Sequence, residues 1–175
     1  MIKEDKNFLS NRSKEFIDHR LLGSDFPMYY TNYAVNMADG AENFTHVVLR
    51  RKEERVRNEA VHPFYQNFIK ILDEFCNKNK ISYREVLRIC VNFNFPSGAK
   101  KSATHVDHEV NHNQLLVYLN NPMDKKSSTV LLDDNNKKVK EIFPEKYKGV
   151  FFPKMPHYVN FPEKGGRFVL VFTMR

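Results

Sequence analysis

Apolar and polar positions follow two different periods along this chain, and the change falls near residue 82. In residues 61–78, Phe64, Tyr65, Phe68, Ile69, Ile71, Leu72, Phe75 and Cys76 recur mostly at steps of three and four. That spacing predicts an amphipathic helix. A weaker helical pattern spans residues 12–20, and the β-branched and apolar run 44–49 predicts a strand between the two. Beyond residue 82 the period is two. Leu87, Ile89, Val91 and Phe93 fall on one face, with Arg88, Cys90, Asn92 and Asn94 on the other. Residues 115–119, 129–132, 150–152, 159–161 and 168–172 predict further short strands. The last two flank Pro162-Glu163-Lys164-Gly165-Gly166, which has the composition of a hairpin loop. Residues 133–147 read as a loop, their Asp133–Lys138 run as an exposed turn. Short strands joined by turns, with helices gathered at the N-terminal end, predict a mainly β fold. The expected architecture is a jelly roll or sandwich buttressed by helices. Residues 1–175 are expected to form a single domain, with 1–81 a helical support and 82–175 the β core that carries the site.

Composition narrows the class. The chain has 175 residues, 41% of them hydrophobic, and its fifteen Phe and eight Tyr can fill a core without Trp. The two cysteines, Cys76 and Cys90, allow one disulfide at most, and reduced thiols are the default. The first residues lack the apolar stretch of a signal peptide, and no apolar run reaches the length of a membrane span. A soluble, cytoplasmic protein is expected. A net charge of +7 admits an anionic partner such as nucleic acid. A solvated, Lys-rich surface explains it as well, because the lysines scatter through predicted loops.

The candidate chemistry begins at His105-Val106-Asp107. In an extended chain residues i and i+2 share a face, so an imidazole and a carboxylate stand side by side. The bare triplet also reads as an exposed polar loop. His157, which follows the strand 150–152 and a turn, supplies a distal partner. Two His and one carboxylate on one face of a metal leave positions open, which suits a non-haem Fe(II) oxygenase. Arg167 lies ten residues after His157. If 162–166 closes a hairpin, Arg167 pairs near Phe161 and faces the same side as His157, roughly 13 Å along the strand. A guanidinium there is suited to a carboxylate. A surface arginine at a strand start is the plainer alternative.

At these residues the chain resembles the Fe(II)/2-oxoglutarate dioxygenase superfamily, most closely its prolyl-4-hydroxylase-like branch. The family pattern is H-x-D, a distal His, and a basic residue ten positions later. The His157-x-Val159 and Gly165-x-Arg167 segments look like its H-x-V-x(5)-G-x-R signature, and Tyr118-Leu119-Asn120 like its Y-L-N strand. Residues 21–30 look like the start of small phage-type members. The resemblance implies a double-stranded β-helix in which His105, Asp107 and His157 bind Fe(II). It implies 2-oxoglutarate as cosubstrate, its distal carboxylate held by Arg167 and the Tyr118 hydroxyl, with ascorbate as an accessory reductant. The implied activity is hydroxylation of a peptide or small molecule with release of succinate and CO₂, in the host cytoplasm if phage-encoded. Asn92, on the polar face of its strand, is expected to help hold cosubstrate or substrate, or else to be a satisfied core amide. Two departures stand out: Phe95-Pro96-Ser97-Gly98 replaces the usual Tyr-x-x-Gly, and Ser127-Ser128-Thr129 falls where relatives have G-G-x-T. His108, at odd parity from His105, is expected behind the metal ligands or in solvent, and His46 and His62 read as ordinary polar residues. Two other readings stay open. One is a nucleobase-modifying oxygenase, although Arg167 and Arg175 lack the R-x(5)-R spacing of that branch. The other is a non-catalytic jelly-roll binding protein. Structural zinc would want four ligands with more Cys, and a serine hydrolase would need a nucleophile elbow.

Overall fold

The central strands β5, β6, β8 and β10 of this chain, at residues 113–118, 128–132, 149–153 and 167–174, bury both faces, so the strands stack into two layers with helices on one outer side. The computed structural model describes residues 1–36, 40–56 and 61–175. In chain order the strands are β1 (Lys3–Asp5), β2 (Tyr29–Thr31), β3 (Asn43–Leu49), β4 (Val86–Asn94), β5 (Asn113–Tyr118), β6 (Ser128–Leu132), β7 (Lys138–Ile142), β8 (Gly149–Pro153), β9 (His157–Asn160) and β10 (Arg167–Met174). They form a seven-stranded sheet in the order β1-β8-β5-β10-β4-β3-β2 and a three-stranded sheet β7-β6-β9. All pairings are antiparallel. This is a mainly β jelly roll, as the patterning predicts.

The alternation within strands decides which core each residue joins. Ile89, Val91, Leu115, Val117, Leu170 and Phe172 point outward from the large sheet and pack beneath the helices. Their intervening neighbours Cys90, Leu116, Val169 and Val171 point between the sheets and meet Leu131, Ile142 and Phe152. Helix α1 (Asn11–Phe16) starts on Ser10, whose Oγ accepts from the Ser13 amide at 3.3 Å, and runs on into a π-helical turn, Ile17–Leu21. Helix α2 (Tyr65–Asn79) buries Phe68, Ile71, Leu72 and Phe75 on one stripe. Lys80 ends it in the left-handed conformation, with φ of 56°. Glu74 of α2 accepts from the hydroxyls of Ser10 and Ser13 at 2.6 and 2.9 Å, tying the two helices together. Among the described residues no helix is long and apolar enough to cross a membrane.

Two expectations are corrected. The segment expected to be a loop, 133–147, contains β7. Its sequence Lys-Val-Lys-Glu-Ile carries the charges of an edge strand, which lower its hydrophobic signal. The residues 162–166 do not close a hairpin. β9 pairs with β6 in the small sheet, whereas β10 lies between β4 and β5 in the large one. The reason is burial: β10 is apolar on both faces and belongs in a sheet centre. Short β1 and β2 extend the two edges of the large sheet without any apolar pattern of their own.

Candidate metal centre

The small sheet begins where the chain brings two histidines together. The His105 amide donates to the His157 carbonyl at 3.0 Å, and the His157 amide donates back to the His105 carbonyl at 2.9 Å. This paired bridge sets the imidazoles side by side, with ring centroids 4.3 Å apart. Asp107, two residues further along, joins them, and the nitrogen and oxygen atoms that could bind a metal all lie within 4.8 Å of one another.

The tautomers follow from hydrogen bonding. Each Nδ1 lies 3.1 Å from the carbonyl two residues before it, Ala103 for His105 and Met155 for His157. A carbonyl needs a donor, so Nδ1 carries the proton and Nε2 keeps its lone pair. Burial pushes His157 down to about 4 despite the adjacent Asp107 carboxylate, so its ring is neutral at pH 7. Burial alone would raise Asp107, but the adjacent His157 and His105 imidazoles and the Arg88 and Arg51 guanidiniums hold it below the usual carboxylate range. Its Oδ2 is buried, has no hydrogen-bond partner and sits 3.4 Å from His157 Nε2. A buried anionic oxygen without a donor is costly. Two lone pairs and that oxygen converge as the donor set of a divalent first-row metal. The residues therefore fit such an ion.

A cavity of about 440 Å³ opens over these residues. Arg167 lines it from the opposite sheet and is only 1% exposed. Its Nη1 donates to Asn94 Oδ1 at 2.9 Å and its Nη2 to Thr129 Oγ1 at 2.7 Å, while Nε has no partner. The guanidinium lies 5.2 Å over the Tyr118 ring. Tyr118 donates its own hydroxyl to Thr129 Oγ1 at 3.0 Å. Thr129 thus accepts from both residues and locks them together. Asn92 lines the cavity, where its Oδ1 accepts from Thr45 Oγ1 at 2.8 Å.

The structure gathers His105, Asp107, His157, Arg167 and Asn92 around one cavity, with Tyr118 behind Arg167. Sequence reasoning missed Asn94, which shares the polar parity of Asn92, and left Thr129 without a role. It also missed Arg51, Glu54 and Arg88, which line the far end of the cavity. His108 does not face open solvent, since its Nε2 meets Thr173 Oγ1 at 2.7 Å. His46 and His62 bond to each other, Nε2 to Nε2, at 2.9 Å.

No family model matches the chain, and no curated protein matches it. Solved structures do. An oxidoreductase of the 2OG-Fe(II) oxygenase family from Burkholderia pseudomallei superposes with a TM-score of 0.76 at 14% identity, over 99% of this chain and 84% of that one. A Trichoplax adhaerens prolyl hydroxylase, solved with a peptide fragment of the hypoxia inducible factor oxygen degradation domain, gives 0.69 at 15% identity, over 99% and 82%. A Pseudomonas putida prolyl-4-hydroxylase gives 0.67 at 12%, over 99% and 92%. At these identities the likeness establishes architecture, and the chain has the fold of solved 2-oxoglutarate- and iron-dependent oxygenases along its whole length.

Proposed function

We propose that residues 1–175 form one Fe(II)- and 2-oxoglutarate-dependent oxygenase domain, with His105, Asp107 and His157 holding the iron. The observation that carries this reading is Arg167: a buried guanidinium without a carboxylate partner, in the same cavity as three converging metal-binding side chains. Arg167 would grip the distal carboxylate of 2-oxoglutarate, with Tyr118 and Thr129 fixing its plane and Asn92 lining the approach. The bound iron and cosubstrate supply the oxidative decarboxylation that gives succinate and CO₂ and leaves one oxygen atom for a substrate C–H bond. The chain's own residues do the positioning. The Ala103 and Met155 carbonyls orient the two imidazoles, and Phe152 packs 5.7 Å from the His157 ring to keep that side dry. The substrate on this reading is a peptide or small molecule, and the peptide complex of the Trichoplax neighbour supports the former. Cys76 and Cys90 are free and buried, which suits a reducing cytoplasm.

The test is succinate formation from 2-oxoglutarate with Fe(II), ascorbate and O₂, beside a His157→Ala variant. Succinate from the unaltered chain and none from the variant is the expected result. Absence of both turnover and Fe(II) binding would overturn the reading in favour of a non-catalytic jelly roll.

A further inference from the structure

The end of the cavity away from Arg167 carries a second set of cations. Along β10 and β4, Arg167 pairs with Asn94 and Thr173 pairs with Arg88. Arg88 therefore lies six strand positions from the Arg167 row, roughly 20 Å at strand rise. Cys90 and Asn92 stand between them on the same face of β4. Arg88 lines the cavity, forms no ion pair among the described residues, and has a buried Nε without a partner. Arg51 reaches the same end. Its Nη1 contacts Glu54 at 3.1 Å and its Nη2 donates to the Asp107 carbonyl at 3.3 Å, but its Nε is buried and unpartnered too.

The charge balance here depends on the metal. Two guanidiniums face two carboxylates, and the first, Glu54, is already engaged by Arg51 and is 42% exposed. Asp107 is the other nearby anion, and a metal would take its charge. A guanidinium cannot shed its proton, so a half-buried one without a carboxylate is stabilised by whatever anion enters. Arg167 presents the same situation at the other end, where the iron reading gives it the cosubstrate.

We propose that Arg88, assisted by Arg51, binds an anionic group of the substrate, a carboxylate or a phosphate, at the end of the cavity opposite Arg167. This rests on the oxygenase reading and names the substrate class for it. A molecule anchored at Arg88 would lie in the same cavity as Asp107 and the other candidate metal ligands. Both arginines line the cavity rather than the outer surface, which favours a small anion or a single acidic side chain over a nucleic-acid backbone. Glu54, paired with Arg51 at 3.1 Å, would compete with that anion.

The experiment uses the full chain loaded with Mn(II) and saturating 2-oxoglutarate under argon, so that Arg167 is occupied and no turnover occurs. Inorganic phosphate and ¹³C-labelled acetate are titrated in, and the paramagnetic relaxation of ³¹P and ¹³C reports approach to the metal. Saturable enhancement is expected, and the tighter probe identifies the anion. Arg88→Gln is expected to weaken binding at least about tenfold, the loss of one charge-assisted contact. Arg88→Lys should keep part of the affinity, and Glu54→Gln should strengthen it. Absence of enhancement with the unaltered chain, or equal enhancement with Arg88→Gln, would overturn the proposal. So would loss of Mn(II) affinity in Arg88→Gln, which would mean that Arg88 serves the metal instead. If the unaltered chain binds no Mn(II), the iron reading fails by itself. Equilibrium dialysis of the same two anions, against the unaltered chain and against Arg88→Gln, then decides the arginine site: stronger retention by the unaltered chain supports it, and equal retention by both overturns it.

Discussion

Arg167 spends two of its donors on Asn94 and Thr129 and keeps its charge for something else. Those two bonds fix the guanidinium plane, so little rotamer freedom is left to lose when a carboxylate arrives. Arg167→Gln removes the charge while leaving a polar side chain. The 2-oxoglutarate Kd is expected to rise by about 10- to 100-fold, as expected for a hydrogen bond to a charged group of about 1.5–3 kcal/mol. Calorimetric titration under argon would measure it. Mn(II) affinity should stay near its original value, and a parallel loss of metal would contradict the role. The convergence of His105, Asp107, His157 and Arg167 on one cavity was legible because the family resemblance rests on their spacings in the chain. Asn94 and Thr129 were not, since each acts through a neighbour 73 or 38 positions away that only pairing in space supplies.

Element packing places the site as much as its residues do. β8 lies directly under α2 at Gly149, where an added Cβ would come 2.6 Å from the Phe75 ring and 2.8 Å from the Phe8 ring. Those two rings meet edge to face with centroids 5.0 Å apart, so neither can retreat easily. Gly149→Ala is expected to cost about 1–3 kcal/mol through overpacking. A lowered urea midpoint with an unchanged slope would show it, and an unaltered midpoint would mean that the rings repack. The central strands and α2 were readable because their apolar periods are strong. β7 was hidden by its edge charges. The true course of β9 and β10 was hidden because a Pro/Gly loop looks the same whether it turns a hairpin or crosses between sheets. The crossing shapes the candidate site: it puts Arg167 on the sheet facing His157, instead of further along the same one.

At the scale of the whole molecule, buried neutral imidazoles make stability depend on pH. The Phe64 amide donates to His62 Nδ1, His62 Nε2 donates to His46, and His46 Nδ1 donates to the Pro27 carbonyl. This chain of bonds joins three parts of the fold, and each ring in it must stay neutral. Burial lowers both from 6.5, with His46 adding to the effect on His62, and burial also takes His157 to about 4. The unfolded chain therefore binds more protons below pH 6.5, and the stability present above that value is lost as pH falls. For the metal-free protein the urea midpoint is expected to hold from about pH 8 to 7 and to drop between about pH 6.5 and 5. His62→Gln should flatten that drop, and a profile level across the whole range would contradict it. What the sequence by itself determined is the class of fold and the choice of four residues that line one cavity, because periodicity and motif spacing are properties of the chain itself. What only the tertiary structure decided is which sheet presents each residue, which polar groups are left unpaired, and that Arg88 and Arg51 line the same cavity as Arg167 and the candidate metal ligands. Those are consequences of strand pairing and burial between residues far apart in the chain, and no local pattern encodes them.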